Sequence, residues 1–324
     1  MRPLQSFSGL LALVGLIAHG GAAQAWVRSR TNGCHPVYWS QSCIYLQPDG
    51  ELTKDLPADQ VQRIIQRSIA QWQDRIGGSF LRLIYVPPDG PREARFDRQP
   101  TIKFRTGRWC RPGDCQGDRE SCYDASAAAI TTVFFVNKPD NEQEDGLILD
   151  ADIELNSVHN QFYDADQLPP RGDGRTLTDL ENTLVHELGH LMGLEHTCRS
   201  AGDGMPDCTV DHLGQRPPLC STVLAGMDRD PRLREIAETT MFATAQPRET
   251  KKRTPEADDV AAIVAIYPAA RDPRSCERPR PRDQCGGGGC ALAPHGRTAA
   301  AAPLLLLGAI LLCMRQRRQS GRTC

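Results

Sequence analysis

Neither sign of charge is in excess in this sequence. Lys and Arg number 38 against 40 Asp and Glu, a formal net charge of −2. That removes the electrostatic footprint of a nucleic-acid binder, and the lack of an acidic run removes a solvating tail. No segment repeats at a fixed period, which excludes a solenoid or propeller. No apolar run reaches the ~20 residues that a membrane-spanning helix needs. The longest are Gly9–Ala18, ten residues, and Ala299–Met314, sixteen. Hydrophobic residues are slightly scarce at 40 %, whereas cysteine is plentiful, with 13 in 324 residues. In a cytosolic chain such cysteines suggest metal or redox chemistry; in an exported one they suggest disulfides.

The N-terminus decides between these. Arg2 supplies a positive start, Gly9–Ala18 an apolar stretch of signal-peptide length, and Ala23-Gln24-Ala25 an A-x-A cleavage site. Residues 1–25 therefore read as a signal peptide removed by signal peptidase, with the mature chain starting at Trp26. Residues 26–269 alternate apolar and polar segments as a globular domain does. Residues 270–298 are rich in Pro, Arg and Gly, include Cys285-Gly-Gly-Gly-Gly-Cys290, and read as a linker. Residues 299–314 are the apolar segment, and 315–324 form a basic tail.

Within the domain, Val61, Ile64, Ile65, Ile69, Trp72 and Ile76 recur at helical spacing, with Pro57 and Asp59 at the expected start. Phe80–Val86, Thr101–Phe104, Ile130–Val136 and Leu147–Leu155 read as strands. Thr178 and Glu181 form a capping-box pattern at the start of a second helix. A last helix is expected over Pro255–Tyr267, capped by Thr254, with Val260, Ile263 and Val264 facing inward. A long helix, several strands and further helices imply an α+β domain.

Residues 186–196 read His-Glu-Leu-Gly-His-Leu-Met-Gly-Leu-Glu-His. On a helix, His186 and His190 project from nearly one face and can reach one ion. Gly193 lets the chain leave the helix through left-handed backbone angles, so that His196 can return as the third ligand. Three imidazoles and an open position are the ligand set of catalytic zinc. Glu187 follows the first ligand directly and can act as general base on a water that the metal activates, later passing the proton to a leaving amine. The spacing therefore points to a zinc-dependent endopeptidase. The alternatives are a surface binding protein with structural zinc and a zinc hydrolase acting on a non-peptide substrate.

This stretch resembles the metzincin metallopeptidases, whose pattern is H-E-x-x-H-x-x-G-x-x-H followed by a Met-turn. The Met-turn candidate is Met241, within Thr239-Thr240-Met241-Phe242-Ala243. The opening helix, the strand Asp150–Asn156 and the closing segment Asp258-Asp259-Val260 to Tyr267 resemble the matrixin branch. The resemblance implies a twisted, mostly parallel sheet with an active-site helix and a C-terminal helix. It also implies a protein or peptide substrate lying extended against a strand near Ile153. Thr197 stands where matrixins usually have serine, and Ala243 where some metzincins place a fifth, tyrosine ligand. The stretch between His196 and Met241 is far longer than in matrixins; with Cys198, Cys208 and Cys220 it is expected to form a disulfide-braced loop near the cleft.

No pro-region with the matrixin cysteine switch is present, and Cys34 is expected to pair with Cys43. Cys110, Cys115 and Cys122 are expected in disulfides rather than a zinc knuckle. Asp150 and Asp152 offer carboxylates to a calcium ion (Ca2+), or else to a capping or solvated role. The tail, Cys285 to Arg318, resembles the MYXO-CTERM class of sorting signals. That resemblance implies processing by a membrane protease at Cys290 and retention at the cell surface; the alternative is a plain membrane anchor, its end held in the cytoplasm by the arginines.

Overall fold

The computed structural model describes residues 25–113, 119–141, 143–202 and 204–281. The expected signal sequence up to Gln24, Cys115, the sorting site at Cys290, the apolar segment 299–314 and the basic tail lie outside them. In chain order the elements are β1 (Val27–Arg28), β2 (Cys43–Pro48), α1 (Ala58–Gln73), β3 (Arg82–Tyr85), β4 (Thr101–Arg105), β5 (Cys110–Arg111), β6 (Ser121–Cys122), β7 (Ala129–Phe135) and β8 (Ile148–Asn156). They continue with β9 (Asn160–Tyr163), β10 (Thr176–Asp179), α2 (Leu180–Leu191), β11 (Leu194–Glu195), α3 (Cys220–Gly226), α4 (Pro231–Glu238) and α5 (Ala257–Ile266). Among the described residues no helix is long and apolar enough to cross a membrane.

Five strands form the main sheet in the order β3-β2-β4-β8-β7. The pairs β2/β3, β2/β4 and β4/β8 are parallel, and β7 joins antiparallel at the edge. The molecule is thus α+β with a mixed, mainly parallel sheet. The helical spacing in α1 is what the core uses: Val61, Ile64, Ile65, Ile69 and Trp72 are all buried, as is Ile76 just past its end. Trp72 also donates its indole N–H to the Val185 carbonyl at 2.9 Å, locking α1 to α2.

Strand β8 is internal, between β4 and β7, and Ile153 is fully buried. The expectation that the strand near Ile153 forms the exposed edge is therefore corrected: the edge is β7. Alternation along β8 puts Ala151, Ile153 and Leu155 in the core with the helices and turns Asp150, Asp152, Glu154 and Asn156 to the other face. That polar face is buried too, covered by loops and by side chains of neighbouring strands. Asp150 accepts the backbone N–H groups of Asp97 and Arg98 at 2.9 and 2.6 Å, and Asp152 accepts that of Thr101 at 3.0 Å. Glu154 takes Arg105, Arg111 and the Tyr123 hydroxyl at 2.6 to 2.8 Å. Of the roles open to Asp150 and Asp152, calcium ligand, cap or solvated group, the contacts are those of a cap, holding the 97–101 loop.

Among the described residues, four disulfides join Cys34–Cys208, Cys43–Cys276, Cys110–Cys122 and Cys198–Cys220. The expected Cys34–Cys43 pair is corrected. Cys43 opens β2 and meets a cysteine returned from beyond α5, while Cys34 lies on a turn facing the 198–241 insertion. A knuckle from Cys110, Cys115 and Cys122 is excluded by the bond between the first and last. The insertion carries α3 and α4, which pack Val223, Ile236 and Ala237 with Phe242 into a small second core.

The sequence reading ended the domain at Ala269; the fastened chain runs further. Ser275 and Cys276 lend carbonyls to the Ser42 N–H and the Tyr45 hydroxyl at 2.7 Å, and the Pro279 carbonyl accepts from Gln99 at 2.7 Å. Residues 275–279 are thereby clamped along β2 beside their disulfide.

Candidate metal centre

Helix α2 begins one residue later than expected. Asp179, not Thr178, is its N-cap, accepting the Asn182 N–H at 2.9 Å. Thr178 lies in β10, paired in parallel with β9. Glu181 does not reach back as a capping-box partner but meets Arg67 of α1 at 2.7 Å. Arg253 binds Asp179 at 2.7 Å, Asp164 at 2.9 Å and Asp166 at 2.6 Å. This network fixes the helix start against α1 and the 3-10 turn Lys251–Arg253.

The other end is set by aromatic donors. The indole of Trp39 takes the Leu191 carbonyl at 2.8 Å, and the Tyr267 hydroxyl takes that of Met192 at 2.7 Å. Gly193 then turns the chain with φ +97°, and its carbonyl accepts the Ser29 N–H at 3.0 Å. A Cβ there would crowd the Val37 carbonyl oxygen at 3.3 Å besides straining the backbone. Short β11 leads directly to His196, packed against β1.

The result brings all three expected ligands together. His196 Nε2 lies 3.3 Å from His186 Nε2 and 3.0 Å from His190 Nε2. His186 Nδ1 is 2.6 Å from the Thr240 carbonyl and His190 Nδ1 2.9 Å from that of Leu194. A carbonyl only accepts, so both Nδ1 atoms carry protons and both Nε2 lone pairs face inward. Three imidazole nitrogens this close, two of them presenting lone pairs, suit a metal ion shared among them. Burial, reinforced by Lys252 and the two other histidines, pushes the pKa of His186 well down, which keeps the ring neutral and ready to ligate. The group His186–His190–His196 could hold a metal ion. Among the described residues one other set, Cys110–Glu120–Cys122, is close enough to do so, but its thiols are joined as a disulfide.

Met241 lies beneath α2, buried at 1 % exposure. A Cβ built on Gly189 would sit 2.3 Å from its sulfur, so glycine is what lets the methionine pack there. The turn before it is held by Asp259 of α5, which accepts the Thr240 N–H at 2.8 Å. Thr197 donates its N–H to the Met241 carbonyl and shares a hydroxyl contact with Thr239 at 2.8 Å.

Glu187 is buried, and its Oε2 accepts the Thr131 hydroxyl of β7 at 2.7 Å. Burial pushes its carboxyl pKa up, opposed by nearby His190, Thr131 and Lys252. Glu187 and the three histidines line one cleft of about 280 Å3, bounded by residues 126–131 on one side and Ala243–Ala245 on the other. Ala243 is a wall residue there and offers no fifth ligand. The sequence reading had not singled out Thr131 or Lys252; a threonine within a strand and a lysine in a Lys-Lys-Arg run carry no signal of their own. Neither the protein-family models nor the curated proteins provide a match to this chain.

Proposed function

We propose that the protein is a zinc-dependent endopeptidase of the matrixin-like metzincin type, exported and held at the cell surface. The observation that carries the reading is the convergence of His186, His190 and His196 in an open cleft that also holds Glu187. Three donors, with no fourth grouped with them among the described residues, leave a position for substrate, unlike the closed four-ligand set of a structural zinc. When bound, zinc would supply Lewis acidity, polarising a peptide carbonyl and lowering the pKa of water towards neutrality. Glu187 takes the proton from the attacking water and delivers it to the nitrogen of the departing amine. A carboxyl whose pKa burial has raised is a stronger base for that first transfer. Thr131 fixes its orientation. The free edge of β7 offers backbone groups to an extended peptide, which aligns the scissile bond along the cleft.

Export is supported by the A-x-A site and by four disulfides, which are compatible with an oxidising compartment. Surface retention rests on the sequence of the tail. Incubating the purified protein with a diverse peptide library, with and without a chelator, tests the activity. Chelator-sensitive cleavage and about one zinc per chain are expected; cleavage that survives metal removal contradicts the reading. For the tail, intact-mass analysis of the surface-held form is expected to show loss of residues 315–324.

A further inference from the structure

The lining of the same cleft includes a cation with no counter-ion in contact among the described residues. Lys252 is 3 % exposed and lines the cavity together with the metal-site histidines. Its ammonium donates to the Phe242 carbonyl at 2.5 Å and the Thr244 carbonyl at 2.9 Å. An ammonium has three N–H donors, and among the described residues nothing accepts the third. Nor does any described carboxylate lie within ion-pair distance, although both neighbours are paired, Lys251 with Glu238 and Arg253 with four acids. The acidic groups that act on Lys252 from further off are Glu249, Glu187 and Asp259. Asp259 is committed to Thr240 and Glu187 to Thr131, while Glu249, the strongest of the three, accepts the Gln246 N–H and does not touch the ammonium.

A buried charge without a partner is costly, and the cost is relieved when a carboxylate arrives. The backbone N–H of Lys252 is pinned to Asn182 of α2 at 2.8 Å, so the side chain is rooted on a fixed point rather than swinging from a loop. The walls nearby carry small side chains, Ala128, Ala129, Ala243 and Ala245, which leave room for an incoming group.

We infer that Lys252 is a specificity-determining residue, receiving the carboxylate of an Asp or Glu that flanks the scissile bond. The inference rests on the peptidase reading above. A side chain reaching Lys252 belongs to a residue next to the bond, because the ammonium and the histidines share one cleft of about 280 Å3. A charge-assisted hydrogen bond in a buried setting is expected to favour such substrates at least tenfold in kcat/KM over their Asn or Gln counterparts.

The experiment is cleavage-site profiling of the full protein on a peptide library, followed by kcat/KM on matched Glu and Gln peptides. Asp or Glu is expected to be enriched at one of the two flanking positions. In Lys252→Gln, which keeps a donor and loses the charge, the Glu/Gln ratio is expected to fall towards one, and Lys252→Arg to retain a preference. Binding of the two peptides to metal-free protein by calorimetry is expected to show the same order. Chelator-sensitive cleavage with no acidic enrichment at either position overturns this inference while leaving the peptidase reading intact. Absence of cleavage at any sequence overturns both. The wild-type profile decides the matter even if a Lys252 variant fails to fold.

Discussion

Replacing Gly189 by alanine tests whether Met241 supports the metal centre from below. In mid-helix, Ala is ordinarily better than Gly by ~0.5–1 kcal/mol. Here the added Cβ would lie 2.3 Å from Met241 Sδ, 3.2 Å from its Cε and 3.4 Å from Trp72. The first contact is more than ~1 Å inside an optimal non-bonded separation. Met241 is 1 % exposed, so its sulfur can yield only by changing rotamer within the packed core. Overpacking a filled core typically costs ~1–3 kcal/mol, which exceeds the helix gain. Gly189→Ala is therefore expected to lose about 1–2 kcal/mol and to melt roughly 2–8 °C lower. Because Met241 follows Thr240, whose carbonyl holds His186 Nδ1 at 2.6 Å, displacing it should also loosen the first ligand and weaken metal binding about tenfold. Thermal melts and a competitive chelator titration measure the two effects. Adding Met241→Ala should restore part of the loss, a favourable coupling of about 1 kcal/mol in a double-mutant cycle. A Gly189→Ala protein that is more stable than the wild type and binds metal equally well would refute the argument.

Glu187→Gln is expected to retain about one metal per chain, because the histidines are untouched, while turnover falls by at least about a hundredfold; metal analysis beside peptide hydrolysis checks this. Non-reducing peptide mapping should recover the pairs 34–208, 43–276, 110–122 and 198–220. Cys276→Ser should lower stability by about 3–5 kcal/mol, since the bond closes a loop with a separation of 233 residues, and denaturant unfolding reads it. Burial pushes the Asp150 carboxyl up to about 7, from about 4 in an unfolded chain. A group raised on folding contributes stability that is fully present below about pH 4 and is lost as pH rises through 7. Asp150→Asn, which keeps an oxygen for the Asp97 and Arg98 N–H groups, should therefore lose less stability than the wild type between pH 5 and 8 in urea titrations.

The clustering of His186, His190 and His196 was legible because helix geometry fixes it: residues 186 and 190 share a face, and Gly193 marks the exit. The core face of α1 was legible for the same reason. Partnerships made over long sequence separations were not. Cys34 and Cys43 are neighbours in sequence, yet their partners are 174 and 233 residues away. The segment around β8 read correctly as a strand, but the roles of Asp150 and Asp152 stayed open between calcium ligand, cap and solvated group, because the loops and the Arg105 and Arg111 side chains that bury this face come from elsewhere in the chain. Strand β2, six residues ending in Pro48, is too short and mixed to stand out, although it lies between β3 and β4 in the sheet. The helix cap was missed by one residue because Thr178 and Asp179 are both good caps, and the ion pairs with Arg253 favour the aspartate. Lys252 reads as surface charge until the fold is seen to enclose it.

The clamp of residues 275–279 along β2 also decides where a mechanical load enters the molecule. A pull on the chain beyond Pro281 meets the hydrogen bonds of Pro279 and Arg278 first, and its covalent stop is Cys276, whose disulfide passes the load to Cys43, the first residue of β2. That strand is hydrogen-bonded to a neighbour on each side, so the force is spread through the sheet. Helix α5 lies off this line, although it is joined to the same stretch of chain and its Asp259 steadies the turn under the histidines. If the chain is held by its C-terminus, as proposed, a tug there is thus borne by the sheet before it reaches the histidine cluster. Once the Cys43–Cys276 bond is reduced, the same tug peels residues 275–279 from β2 and reaches α5 through Tyr267 and Pro268.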